Sequence, residues 1–237
     1  MGILERIILE TKMRFVDVNN PFGERSQDYT HDNVFTFERG KIYGIVCEHG
    51  AGGESISLLL TNQIPREEEK IYFDDQEVDS LTVGKAGWYM GKPLYSGRLI
   101  KREVTLRGAM KYAVDNYHKY ENIEKIAEDF VLDQGIWDYG LSRSCHWVKW
   151  RASMAIGYAC NKIIYCFPWM NTLEFNDCLC NSSVFRFFKR FKKEGLIIIL
   201  PTSRRENVEG IVDEIVKIHS PRFEHVLTDM EYFQEHF

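Results

Sequence analysis

Residues 42–60 have the spacing best suited to chemistry. An apolar run, Ile42-Tyr43-Gly44-Ile45-Val46, passes into Cys47-Glu48-His49-Gly50-Ala51-Gly52-Gly53-Glu54-Ser55 and then into Ile56-Ser57-Leu58-Leu59-Leu60. Strand, glycine-rich turn and helix in that order make a cradle whose backbone N–H groups converge on a phosphate-like anion at the helix N-terminus. The plainer reading is a tight strand-to-helix turn that needs its glycines for its own conformation. Glu174 and Asp177 are acids close together in sequence, and Cys178-Leu179-Cys180 is a pair of thiols. A zinc site normally shows a second matched pair, which the chain lacks. His49 and Lys41 read as surface or capping residues.

The elements around the turn alternate. Short apolar runs at 13–18, 42–46, 71–73, 163–166, 196–200 and 215–218 read as strands. Those at 42–46, 163–166 and 196–200 are apolar almost throughout, as strands are when both faces of a parallel sheet are covered. Helical patterns fall near 55–61, 106–119, 123–132, 146–160 and 184–193. The predicted class is α/β, with antiparallel segments at about 3–40 and 68–80 and a helical insertion from about 95 to 150.

Composition narrows the partners. The 237 residues carry 35 acidic against 30 basic side chains, a net charge of -5, which argues against a protein built to hold nucleic acid. The basic run 186–193 has aromatics at Phe187, Phe188 and Phe191 on one face, so it reads as a solvated amphipathic helix. Trp147 and Trp150 read as packed against the insertion. The longest apolar candidate, 154–170, is interrupted by Asn161 and Lys162, and no run reaches bilayer length. The start is too charged for a secretory signal, so the expected location is cytoplasmic. Cys47, Cys160 and Cys166 read as small buried hydrophobes, not as a disulfide framework.

The turn at 47–55 resembles the Walker A loop of the ATP-binding-cassette (ABC) ATPases, and further segments match that family in its own order. Leu141-Ser142-Arg143-Ser144-Cys145 falls where the family has its LSGGQ signature, and Lys162 to Trp169 at its Walker B strand. Asn171 to Glu174 resembles its D-loop, and Leu200 to Arg204 its switch-histidine loop. The resemblance covers about residues 5–220. It implies a P-loop NTPase-like (RecA-like) core with an antiparallel β subdomain over 1–94 and 151–237, and a helical subdomain over 95–150. It also implies that such cassettes pair with a second ABC ATPase subunit, identical or different, and dock on a transmembrane transporter subunit. The docking groove would lie near 88–112, giving peripheral membrane association.

The family's catalytic groups are altered at the matching positions. The phosphate-binding Lys matches Gly53 and the Mg²⁺-binding hydroxyl matches Glu54, in a vestigial loop of Gly50, Ala51, Gly52, Gly53, Glu54 and Ser55. We read Glu54 as a built-in anion standing where a phosphate would sit. The Walker B acids match Phe167 and Pro168, or Cys166 and Phe167 one residue earlier. Neither register supplies a carboxylate to hold a metal or activate water. The switch His matches Ser203, the Q-loop Gln matches Gly91, and the signature glycines become Arg143 and Ser144 beside Leu141 and Ser142. The expected role is a non-catalytic cassette, structural or regulatory in a transporter, with no ATP or Mg²⁺ required and no catalytic residue or metal ligand. The alternatives left open are an ATP-binding, non-hydrolysing subunit and a freestanding pseudoenzyme module.

Overall fold

The computed structural model describes residues 4–23, 25–97 and 100–218. The chain opens with β1 (Arg6–Thr11), β2 (Arg14–Asn19), β3 (Arg25–Thr30) and β4 (Asn33–Glu38), all antiparallel with their partners. β5 (Ile42–Val46) leads into α1 (Gly53–Leu60), then β6 (Lys70–Phe73) and β7 (Gln76–Glu77). α2 (Ser80–Ala86), capped by Asp79 on the Thr82 N–H at 2.7 Å, runs directly into β8 (Gly87–Tyr89). A two-strand ladder, β9 (Tyr95–Ser96) with β10 (Arg102–Glu103), precedes α3 (Leu106–Tyr117) and α4 (Ile123–Asp129). α5 (His146–Ala159) then runs unbroken across residue 150 to β11 (Ile164–Cys166). α6 (Thr172–Phe175), a π-helical turn at Asn176–Asn181 and a 3₁₀ turn at Val184–Phe187 lead to α7 (Phe188–Lys193). β12 (Ile197–Thr202), α8 (Arg205–Val208) and β13 (Glu214–Lys217) close the described chain.

Five strands form a parallel sheet in the order β13-β5-β12-β11-β8. Its central strands are apolar because both faces are covered. Ile42, Tyr165, Phe167, Ile198 and Leu200 enter one core with α3, α4, α5 and α7. The alternate residues Tyr43, Ile45, Ile164, Cys166, Ile197 and Ile199 enter a second core. There they meet α1 and the inner face of an antiparallel sheet, β4-β1-β6-β7, through Ile7, Leu9, Phe35, Phe37 and Ile71. All eight residues of α1 are buried. The mixed α/β architecture is a P-loop NTPase-type core, as the sequence implied.

Several expectations change in detail. β8 falls where no strand was predicted: a Gly-Trp-Tyr triplet directly after a helix carries no periodic signal. The 184–193 helix is split into a 3₁₀ turn and α7. On α7, Arg190 is half-buried rather than fully solvated. Its guanidinium lies 4.7 Å from the ring centroids of both Phe130 and Tyr158, and 5.5 Å from that of Phe187. It also pairs with Asp129 at 2.6 Å. Trp150 is fully buried against Phe22 and Phe167, whereas Trp147 is 57% exposed and so is not packed against the insertion. Lys41 bridges Glu38 and Glu214, each at 2.5 Å. Cys178 is buried and Cys180 exposed, so the paired thiols face different environments. Among the described residues, no helix is long and apolar enough to cross a membrane.

Candidate functional site

The β5–α1 turn sits at the C-terminal edge of the parallel sheet. The Cys47 N–H donates to Thr202 O at 3.1 Å, tying the turn's start to the end of β12. Gly52, the residue before α1, has φ 105, a left-handed conformation that glycine adopts without steric penalty. The first-turn N–H groups then converge on one carboxylate. Gly52 N–H donates to Asp28 Oδ1 at 2.6 Å and Ser55 N–H to Asp28 Oδ2 at 2.7 Å. Asp28 comes from β3 and is 2% exposed. The Tyr29 N–H, donating to Gly50 O at 3.0 Å, fixes β3 against the turn.

The anion at the cradle is therefore Asp28, not Glu54 as the sequence suggested. A group that enters the nest must approach along the helix axis from beyond the N-terminus, and β3 occupies that approach. Glu54 stands on the flank that faces the ends of β8 and β11. Its carboxyl shares a short hydrogen bond with the Tyr89 hydroxyl and accepts another from the Trp169 backbone N–H. At 5% exposure, burial pushes the Glu54 carboxyl up to about 8, aided by the Asp28 and Glu174 charges and opposed by the hydrogen bonds from Tyr89 and Trp169. Burial also drives the Tyr89 hydroxyl well above its ordinary value, and the nearby Glu54 charge adds to this. The Cys166 thiol rises for the same two reasons.

Gly53 has no room for a side chain. A Cβ there would lie 2.6 Å from Cys47 Sγ and 3.4 Å from Trp169 Cδ1. The Trp169 indole N–H donates to Cys47 O at 3.1 Å, and the ring lies 4.8 Å from that of His49. His49 itself is exposed, as the sequence suggested, with one face against the indole.

The remaining sequence candidates are placed as follows. Strand alternation sets Cys166 beside Glu54, while Phe167 turns into the other core, 6.5 Å from Trp150 and 6.3 Å from Phe188. Pro168 is buried. Ser203 is half-buried, its N–H donating to Met170 O at 3.1 Å. The Gly91 N–H donates to Ser153 Oγ at 2.8 Å. Leu141 is buried, and Ser142 is held by Glu103. The Ser142 N–H donates to Glu103 Oε1 at 2.7 Å and its hydroxyl donates to Oε2. Arg143 is exposed, and Ser144 Oγ donates to Gly140 O at 2.9 Å. Glu174 closes a capping box with Asn171, and Asp177 accepts from Asn181 Nδ2 at 2.6 Å. Both acids serve local helix structure.

Four participants were not picked out from the sequence for these roles: Asp28, Tyr89, Trp169 and Glu103. Asp28 carried a faint signal, because in Arg25-Ser26-Gln27-Asp28-Tyr29-Thr30 it shares the inward face with Thr30, and an inward acid demands a partner.

The donor set does not fit a magnesium–triphosphate group. The cradle amides are taken by Asp28, position 53 has no space for a cation-bearing side chain, and Glu54 is spent on Tyr89 and Trp169. The end of β11 offers a thiol, a phenyl ring and a proline, and no carboxylate.

A parallel sheet with a glycine turn feeding a buried helix is the core arrangement of P-loop folds. Solved structures that share this fold include ATP-binding cassettes of ABC transporters. The chain is 12% identical to CbiO1 from Clostridium perfringens, part of the ABC transporter complex CbiONQ, covering 98% of this chain and 94% of that one at TM-score 0.60. It is 11% identical to an ATP-binding cassette solved as a post-hydrolysis dimer with ADP and Pi, covering 90% and 94% at TM-score 0.63. It matches a bacterial Atm1-family ABC exporter with ATP bound at 16% identity, covering 99% of this chain and 42% of that one at TM-score 0.59. No family model matches the sequence. At these identities the shared property is the fold, and the chain has the fold of an ATP-binding cassette.

Proposed function

We propose that this chain is a non-catalytic cassette, a structural or regulatory subunit of a membrane transporter that pairs with a second cassette and docks on a transmembrane subunit. The observation that carries the reading is the end of β11. Cys166, Phe167 and Pro168 stand where an ATPase needs a metal-binding acid and a general base, and the nearby Glu174 and Asp177 are engaged in helix capping and a side-chain bond to Asn181. The pairing and docking rest on the similar proteins, of which CbiO1 is part of a transporter complex and another was solved as a dimer. Peripheral membrane association would follow from docking.

Two measurements test the reading. Purified chain with Mg-ATP is expected to release phosphate no faster than buffer. Steady release that survives extensive purification and is lost in E174Q or D177N would overturn the non-catalytic role. A tagged pull-down from detergent-solubilised membranes of the native host is expected to recover a polytopic membrane protein with a second cassette carrying intact motifs. Recovery of the chain alone from the soluble fraction would replace the transporter role with a freestanding module.

A further inference from the structure

We propose that Asp28 is a tethered anion that permanently fills the β5–α1 cradle, so that hairpin β2–β3 is locked onto the turn without a nucleotide and phosphate-bearing ligands are shut out. This deepens the non-catalytic reading and rests on it. The contact is bidentate: each carboxylate oxygen takes one backbone N–H, from Gly52 at 2.6 Å and from Ser55 at 2.7 Å. A phosphate presents the same pair of acceptors to a helix N-terminus. Asp28 is 2% exposed, so water does not compete for these donors.

The hairpin carrying Asp28 is fixed rather than free to swing. Val16 and Val18 of β2 are buried in the core that holds α1. Thr30 Oγ1 donates to Lys12 O at 2.6 Å, and the Tyr29 N–H bond to Gly50 O adds a backbone tie beside the carboxylate. A second observation at the same turn is Ser55 Oγ, which is fully buried and has no hydrogen-bond partner. The loop therefore retains a polar group that the tethered carboxylate, occupied by the two amides, leaves unsatisfied.

The test compares wild-type chain with D28A and D28S, each titrated with inorganic phosphate and with pyrophosphate while thermal unfolding is followed. Wild type is expected to show no anion-dependent rise in Tm beyond that given by chloride at matched ionic strength. D28A is expected to lose roughly 5–10 °C in Tm and to regain part of it in millimolar phosphate or pyrophosphate. D28S, which keeps a polar side chain but no charge, is expected to respond in the same sense. If D28A folds only when phosphate is present, that also supports the tethered anion. Equal responses of wild type and both variants, or none in any of them, overturn it. These outcomes are separate from the parent reading. Wild type that hydrolyses ATP defeats the non-catalytic role, whereas inactive wild type with unresponsive variants defeats only the Asp28 lock.

Discussion

Two turns of this molecule are each closed by a single carboxylate, in different surroundings. At the β5–α1 turn, Asp28 takes two backbone N–H groups in a site almost closed to water. At the turn before α5, Glu103 takes the N–H and hydroxyl of Ser142, and both residues are at least partly open to solvent. In each case a carboxylate from a strand distant in sequence satisfies the donors of a turn. The difference lies in solvent competition. A hydrogen bond to a charged group is worth most where its donors have no water to turn to, and an exposed one is largely offset by hydration. The buried contact should therefore act as a structural joint and the exposed one as local trim.

The comparison breaks first at position 53. Gly53→Lys places a Cβ against Cys47 Sγ and an ammonium in a packed site, and should cost roughly 5 kcal/mol or more without creating ATPase activity. Chemical denaturation with a phosphate-release assay checks it, and a well-folded, hydrolysing variant would show that the turn is open. Next comes Glu54. Its folded-state pKa is raised to about 8, so the folded protein holds this proton more tightly than the unfolded chain does. The resulting stability is present in acid and is lost as pH rises towards 8. Relative to E54Q, wild type should lose about 3 kcal/mol between pH 5 and pH 8, and parallel pH–stability curves would refute this. Asp28→Ala should cost about 2–3 kcal/mol in the same denaturation experiment. Glu103→Ala should be smallest, below about 1 kcal/mol, and equal losses in the last two would dissolve the contrast between the turns.

Much of the frame could be read from residue types. The apolar runs at 42–46 and 196–200 announced strands covered on both faces, and the turn between 47 and 55 announced the strand–helix junction. What fills the junction could not be read the same way. Asp28 acts across 24 residues to Gly52 and 27 to Ser55, and no local pattern marks which acid folds back onto which amide. Glu54 sat in the right segment, but sequence position alone does not say which flank of a helix a side chain serves. The Trp169 backbone and Tyr89 hydroxyl that receive it come from strand ends brought together only by sheet order. Arg190 was missed for a related reason. It sits in a run of basic residues, and its partners Phe130, Tyr158 and Asp129 lie on or at the end of other helices.

That arginine has a mechanical consequence. Asp129 and Phe130 end α4, Tyr158 lies on α5, and Arg190 itself stands on α7 beside the parallel sheet, so one guanidinium rivets three helices together. Swinging α4 away would strip a half-buried cation of the Phe130 ring and of its counter-charge Asp129 at once. A force applied to the outer helices should pass into the sheet as through a stiff lever, with little absorbed by a hinge at this joint.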